Sequence, residues 1–290
     1  MPFSPYKSVT KPENGKLFFY SSCIADFVEP VADGDSAITL LVLKLTLTPL
    51  LIALATLAAR RWGPIIGGWI VGLPLTSGPV SVFLALEQGR EFADTAAHSA
   101  LLGVIAVLVF CVSYPYFARK FNCLITVAIT LVLYFLAVSV LASVSLPLII
   151  TTPLVAILIA VALRVVGPVK TDLPVMSPPS WDLPVRMLAA TTIVLLVTTL
   201  STLLGPQLSG VLSAFPVFIC VMSVFSHHFF GAAITQQMAR GVIAGSFAFE
   251  AFFLVVSLTV LNGNLFVVYL LAVIAAACVN LMVLRFFIRK

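Results

Sequence analysis

Long apolar segments constrain this chain more than any other feature of its sequence. Crossing the hydrocarbon of a bilayer takes about 20 mostly apolar residues in a helix. Helices and closed barrels alone satisfy their backbone polar groups at that depth. The sequence therefore predicts an all-α integral membrane protein with about nine transmembrane helices. The predicted spans are 37–59, 64–86, 95–117, 122–143, 146–166, 185–204, 206–227, 238–261 and 264–285.

The scarcity of charge agrees with a chain surrounded by lipid. Charged residues make up 9% of the sequence, whereas a soluble domain has about 25%. The net charge of +5 comes from basic residues in loops and at segment ends, so we expect no nucleic-acid partner. The cysteines have no metal-ligand spacing and the chain has no P-loop motif. We therefore expect no metal site, no cofactor and no direct use of ATP.

The basic residues also predict how the chain lies in its membrane. The loops after the first, third and fifth spans and the C-terminus carry Arg60, Arg61, Arg119, Lys120, Lys170, Arg285, Arg289 and Lys290. The positive-inside rule then places the C-terminus in the cytoplasm of a multi-pass inner or plasma membrane protein. Residues 1–36 form a polar tail that we interpret as disordered, or as lying ahead of the native start. Its three lysines oppose this orientation.

An internal repeat organises the sequence. When the chain is shifted by 142 positions, Pro74 aligns with Pro216, Gly89 with Gly231, and Gly103 with Gly245. Glycine and proline set backbone geometry, so their recurrence predicts the same bends in both halves. The resulting division is a first repeat of four helices over 37–143, a connecting helix with a Pro-rich cytoplasmic linker over 144–184, and a second four-helix repeat over 185–290.

The order of the helices predicts that the two repeats are inverted. Five crossings separate their starts, so the second repeat enters the membrane from the opposite side. Inverted-topology repeats are typical of secondary transporters. In this plan of helices the chain resembles the drug/metabolite transporter superfamily, although a likeness of fold does not by itself give a function.

The second span predicts a solute site. Prolines within a helix remove hydrogen bonds, and backbone freed at membrane depth must be buried or line a watery cavity. We therefore predict a broken helix near Leu73–Pro79, whose amides and hydroxyls contact a small solute. The alternative is a proline kink that neighbouring helices satisfy. The candidate residues here are Pro74, Thr76, Ser77, Gly78 and Pro79.

The second repeat keeps the proline of this segment and loses its hydroxyls. Pro216 is retained, while Phe218 and the residues after it are apolar. We expect Phe215, Pro216 and Phe218 to form an apolar wall of the same site. The alternative for both aromatic residues is ordinary packing.

Glu250 is the most informative single residue because it lies in the middle of an apolar span. Acids at this depth usually face the bundle interior and mark a proton or ion route. Ser246 and Ser257 extend a polar stripe from it, and Gly241 and Gly245 form a GxxxG motif suited to close helix approach. The hypothesis is that Glu250 carries the coupling proton. The alternative is an ion pair that only fixes packing.

Other ionisable residues carry weaker signals. Lys44 is a candidate counter-ion of Glu250 or contact for an anionic solute, and its alternative is snorkelling to the interface. Its repeat partner Arg186 is expected at the interface. The polar stretch Glu87–His98 is expected to be an exterior helix extension without chemistry.

Taken together, these features predict a secondary active transporter of a small organic solute or metabolite, working by alternating access and coupled to protons through Glu250. Three alternatives stay open. They are a membrane-embedded enzyme acting on lipids or isoprenoids, a passive facilitator, and a subunit of a membrane complex. The solute, the direction of transport and the oligomeric state are left undetermined.

Overall fold

The structure is a computed structural model that describes residues 34–75, 77–87, 89–144, 146–168, 179, 181–196 and 216–285. Every regular element within these ranges is a helix, which confirms the all-α prediction for this part of the chain. The helices are α1 (Gly34–Trp62), α2 (Pro64–Val71), α3 (Ser77–Glu87), α4 (Arg90–Ala118), α5 (Cys123–Ala142), α6 (Leu148–Val166), α7 (182–196), α8 (Val217–Phe230), α9 (Ala232–Thr259) and α10 (Leu265–Val283).

Five of these helices are long and apolar enough to cross a membrane, namely α4, α5, α6, α9 and α10. They confirm a multi-pass character. The other four predicted spans fall on α1, on the interrupted pair α2–α3, on α7 and on α8, so the plan of nine crossings stays a prediction. The polar tail up to residue 33 and most of the Pro-rich linker lie outside the described residues.

Helix α9 is the centre of the bundle. It packs against α2, α4, α6, α8 and α10. Within its most apolar stretch, 67% of the residues are buried, compared with 22% in α5 and in α10. The outer helices expose large apolar side chains such as Leu136, Ile157 and Val273, as expected for surfaces that face lipid.

Helices α4 and α9 run antiparallel, with α6 alongside both. At one end of the pair, Ser257 Oγ of α9 donates to Asp94 Oδ1 of α4 over 2.7 Å. At the other end, Arg119, which follows α4, donates to Gln236 Oε1 of α9 over 2.7 Å. Gln236 and Arg240 near the start of α9 both donate to carbonyls in the last turn of α6, so α6 is antiparallel to α9 as well.

Backbone geometry recurs at the spacing of the sequence repeat. Helices α4 and α9 begin 142 residues apart, and so do α5 and α10. Gly89 and Gly231, which precede α4 and α9, have positive φ angles of 92° and 79°. Asn122 and Asn264 each cap the following helix by accepting a hydrogen bond from a first-turn backbone amide.

Glycines bring α2 and α9 into direct backbone contact, which confirms the prediction for the GxxxG motif of α9. A Cβ added at Gly241 would lie 2.0 Å from the Ile65 carbonyl oxygen, and one at Gly68 would lie 2.0 Å from that of Met238. A Cβ at Gly245 would meet the Trp69 oxygen at 2.6 Å. No side chain fits between the two helices at these points, so the crossing is fixed by the absence of a Cβ.

Candidate functional site

The second predicted span is interrupted, which confirms the predicted break. Helix α2 ends at Val71 and α3 begins at Ser77. In the interruption, the amide of Leu75 donates to the Leu73 carbonyl, two residues back, over 2.8 Å. The Val71 carbonyl, four residues back, thereby loses its usual helical donor. Pro74 has no backbone N–H group and therefore cannot donate a hydrogen bond. The break therefore frees backbone polar groups, as proline and glycine at these positions predict.

The predicted solute residues lie on and around this break. Pro74 and Ser77 are half-buried, Gly78 is buried and Pro79 is exposed. Gly78 packs near Phe252 of α9, since an added Cβ would lie 3.4 Å from Phe252 Cζ. Thr76 lies outside the described residues. Contact of these residues with a solute stays a prediction.

Two of the residues predicted to form an apolar wall, Pro216 and Phe218, lie within the described residues. Pro216 is half-buried and precedes α8. Phe218, also half-buried, packs on a cluster that includes Ile52 and Val221, which Ile70 and Val71 at the end of α2 also join. Ordinary packing therefore accounts for part of the surface of Phe218. Phe215 lies outside the described residues.

Glu250 lies buried on α9, with 5% of its surface exposed. Its Oε1 atom is buried and has no hydrogen-bond partner. Its carboxyl group lies against the backbone of Ala156 in α6. No described basic side chain forms an ion pair with it. The side chain of its candidate partner Lys44 lies outside the described residues, so that pairing stays a prediction.

Polar side chains line the seam where α4, α6 and α9 meet, between Glu250 and one end of the bundle. His98 Nε2 of α4 lies 3.4 Å from the Oγ1 atom of Thr151 in α6, which is fully buried. One turn closer to the bundle end, Asp94 accepts the hydrogen bond from Ser257. The prediction of a polar exterior extension for Glu87–His98 is thus incomplete, because two of its residues pack into this seam.

The structure gives Arg186 buried partners. This residue is 2% exposed, and its position at the membrane interface stays a prediction. Its Nε donates to Asp182 Oδ1 over 2.8 Å, while Arg60 at the end of α1 donates to Asp182 Oδ2 over 2.9 Å. The Arg186 guanidinium also stacks over the Phe225 ring at 5.1 Å. The sequence alone does not reveal this cluster, because Arg60 and Asp182 are far apart in the chain. The i, i+4 spacing of Asp182 and Arg186 was its one local signal.

A separate groove of about 520 Å³ runs between α4 and α6 toward Arg119 and Gln236. Its walls are mostly apolar, and several wall residues, including Tyr116 and Val161, are exposed on the outer surface. None of the predicted solute residues that the structure describes lines it, so the groove and the break in α2–α3 are distinct features. The described part of the chain contains no group of three or more His, Cys, Asp or Glu that could hold a metal ion.

Comparison of the chain with known protein families, with characterised proteins and with solved structures finds no match.

Proposed function

We propose that this chain is a secondary active transporter of a small organic solute or metabolite, which works by alternating access and is coupled to protons through Glu250. The observation that carries the proposal is the buried Glu250 carboxyl, whose Oε1 has no partner. It lies on the same helix that the interrupted α2–α3 segment packs against. A carboxyl group held in an apolar bundle without an ion pair is costly, and such groups typically mark an ion or proton route.

The arrangement of the repeated helices supports inverted repeats. Helices α4 and α9 have equivalent places in the two copies, since they begin 142 residues apart and each follows a glycine with positive φ. The contacts at their ends make them antiparallel. Equivalent helices that run in opposite directions are what an inverted-topology repeat requires, and such a pair gives two related conformations that open to opposite sides.

Helix α9 connects the proposed proton site with the proposed solute site. Its glycine face touches α2 where the break begins, because a Cβ at Gly72 would lie 2.5 Å from the Val242 oxygen. Glu250 comes five residues after Gly245, about 7.5 Å along the helix axis. A proton that changes how α9 packs against α6 would therefore shift the helix on which the break rests. This is the physical link that coupling needs.

The proposal is tested by thermal unfolding of the purified protein in detergent, at two pH values, against a panel of metabolites and drugs. A ligand that binds only the folded state raises the melting temperature, by an amount equivalent to about 2.7 kcal/mol when it is present at about 100 times its Kd. We expect one chemical class to stabilise the wild type in a pH-dependent manner. Glu250→Gln should abolish the pH dependence, whereas the exposed control Glu91→Gln should keep it.

Two other outcomes would contradict the proposal. Stabilisation that is equal at both pH values in wild type and Glu250→Gln would indicate a passive facilitator. If no compound binds, and Glu250→Gln lowers the melting temperature equally at both pH values, the carboxyl group is structural. The membrane-embedded enzyme and the complex subunit would then be the better hypotheses.

A further inference from the structure

We infer that protons reach Glu250 from one end of the bundle only, through a side-chain relay formed by Asp94, Ser257, His98 and Thr151 in the seam between α4, α6 and α9. This relay rests on the proposed role of Glu250 and adds the route by which its proton exchanges. The four side chains come from three helices and are brought together by the tertiary structure.

The relay residues are spaced for stepwise transfer. Asp94 and His98 are four residues apart on α4, which separates them by about 6 Å along the axis. On α9, Ser257 lies seven residues after Glu250, or about 10.5 Å. On α6, Thr151 precedes Ala156, against which the Glu250 carboxyl lies, by about 7.5 Å. His98 and Thr151 therefore lie between the Asp94–Ser257 pair and Glu250, and the remaining axial separations of about 6–7.5 Å are crossed by side-chain rotation or by a short chain of two waters.

The chemistry of these groups suits proton transfer. Imidazole and hydroxyl groups can donate and accept hydrogen bonds, and a carboxylate at the outer end can collect a proton from water. Ser257 Oγ donates to Asp94 at 2.7 Å, and Thr151 Oγ1 lies 3.4 Å from His98 Nε2. Histidine is the side chain that most readily takes and releases a proton near neutral pH. Asp94 and His98 are half-buried, so they lie between the surface and the buried carboxyl group.

The equivalent positions of the other copy cannot form such a relay. At the repeat spacing, Asp94 corresponds to Gln236 and His98 to Arg240. Glutamine does not titrate and arginine keeps its proton at any physiological pH. Both side chains donate instead to backbone carbonyls of α6, at Val166 and Leu163. Side chains that can transfer protons therefore lie at the Asp94 end of the seam. At the Gln236 end the equivalent side chains are held in hydrogen bonds to the backbone of α6 and do not transfer protons.

Among the described residues, the remaining titratable groups on the helices around α9 form no hydrogen bond with Glu250 or with the relay residues. Arg164 lies in the last turn of α6, and the described residues of α2 include no ionisable side chain. Tyr269 of α10 is engaged with Ser81, to whose carbonyl its hydroxyl donates. On α8, His227 and His228 lie in the last turn. The other titratable side chains on α4, α8 and α10 are those of Arg90, Glu91, Cys111, Tyr114, Tyr116, Cys220 and Cys278.

The experiment measures how fast Glu250 gains a proton after a pH drop in the protein reconstituted into liposomes. The signal is the infrared carbonyl band of a protonated carboxyl group, assigned to Glu250 as the band that Glu250→Gln removes. We expect His98→Gln, Asp94→Asn and Thr151→Val each to slow the appearance of this band by about tenfold or more. The final amplitude at each pH should be unchanged, because the relay alters the path and not the end states.

Matched variants separate the relay from general damage. His228→Gln and Glu91→Gln make the same chemical changes at exposed positions, and both should keep the wild-type rate. Thr151→Ser retains the hydroxyl group and should restore the rate that Thr151→Val loses. A purely structural role of Thr151 would give the opposite order, because valine has the shape of threonine.

Two results would overturn the inference, and they differ in what else they overturn. If the Glu250 band responds to pH but appears at the wild-type rate in all three relay variants, protons take another path and the coupling role of Glu250 stands. If no band that depends on Glu250 responds to pH, Glu250 does not exchange its proton. The coupling role in the proposed function then fails together with the relay.

Discussion

Helices α4 and α9 are two copies of one backbone plan that carry different chemistry. They contain 29 and 28 residues and begin 142 residues apart, each after a glycine with positive φ. Where α9 has Glu250, however, α4 has Leu108, and where α9 has Gly241, α4 has Ser99. Among the described helices, α9 is the buried centre of the bundle, with 67% of its most apolar stretch buried compared with 44% in α4.

The comparison of α4 with α9 shows which residues are the same in the two repeats and which differ. Glycines and asparagines at helix starts determine backbone geometry and recur in both copies. Side chains in the middle of the two helices have diverged, since one carries the buried acid and the other an aliphatic residue. Under the proposed function, two similar halves would provide the symmetric motion of alternating access, and the acid present in one half alone would couple that motion to protons. Four predictions test this comparison.

The largest effect is expected when Glu250 is replaced by the residue that α4 has at the same place. Glu250→Leu should abolish the pH dependence of ligand stabilisation. It should also increase the free energy of unfolding by about 1–3 kcal/mol, because a buried polar group without a full set of partners is removed. Thermal unfolding at two pH values measures both effects. A loss of stability in both Glu250→Leu and Glu250→Gln would show instead that the carboxyl group holds the fold together.

The next effect concerns Gly241, the member of the α9 glycine pair that α4 does not share, since Gly245 corresponds to Gly103. Gly241→Ser, which places the α4 residue in α9, should reduce the free energy of unfolding by about 3 kcal/mol, because its Cβ would collide with the backbone of Ile65. Chemical denaturation in detergent gives the value. Gly78→Ala is the control, since its Cβ would meet Phe252 at an ordinary contact distance. Equal losses for the two variants would mean that the crossing of α2 and α9 is not tight.

The turn glycines should respond alike in the two copies. Gly89 and Gly231 combine positive φ with extended ψ of 175° and −177°, a region that essentially glycine alone occupies. Gly89→Ala and Gly231→Ala should therefore each cost about 2 kcal/mol of folding free energy. Melting temperatures of the two single variants check this. Clearly unequal shifts would contradict the view that the same backbone turn recurs in both halves.

The smallest effects are expected at the asparagine caps. Asn122→Ala and Asn264→Ala each remove a side-chain acceptor from the start of an outer helix. Each should cost about 1 kcal/mol. The exposed Asn262, in the turn before α10, is the matched control and Asn262→Ala should be close to neutral. Hydrogen exchange of the first-turn amides of α5 and α10 is the local measurement, and unchanged exchange in either cap variant would contradict the assignment.

The features that could be predicted from the sequence are those that depend on short stretches of the chain. The all-helical class, the break in the second span, the repeated turns and the glycine face of α9 all follow from residue types at local spacings. The partners of Arg186 and the packing of Asp94 and His98 into the seam were not predicted, and in both cases the missing information was a distant partner. Arg60 and Asp182 are 122 residues apart in the chain, and no pattern in the sequence between them predicts that they form an ion pair.

The sequence by itself determined which segments are apolar helices and where their backbone bends, because helix formation, capping and positive φ depend on neighbouring residues. The tertiary structure decided that α9 lies at the centre, that α6 packs against it beside Glu250, and that His98 meets Thr151. These outcomes depend on how helix surfaces fit one another across the bundle. In a chain where almost every helix is apolar, hydrophobicity alone does not select a neighbour, so small residues and a few polar side chains set the contacts.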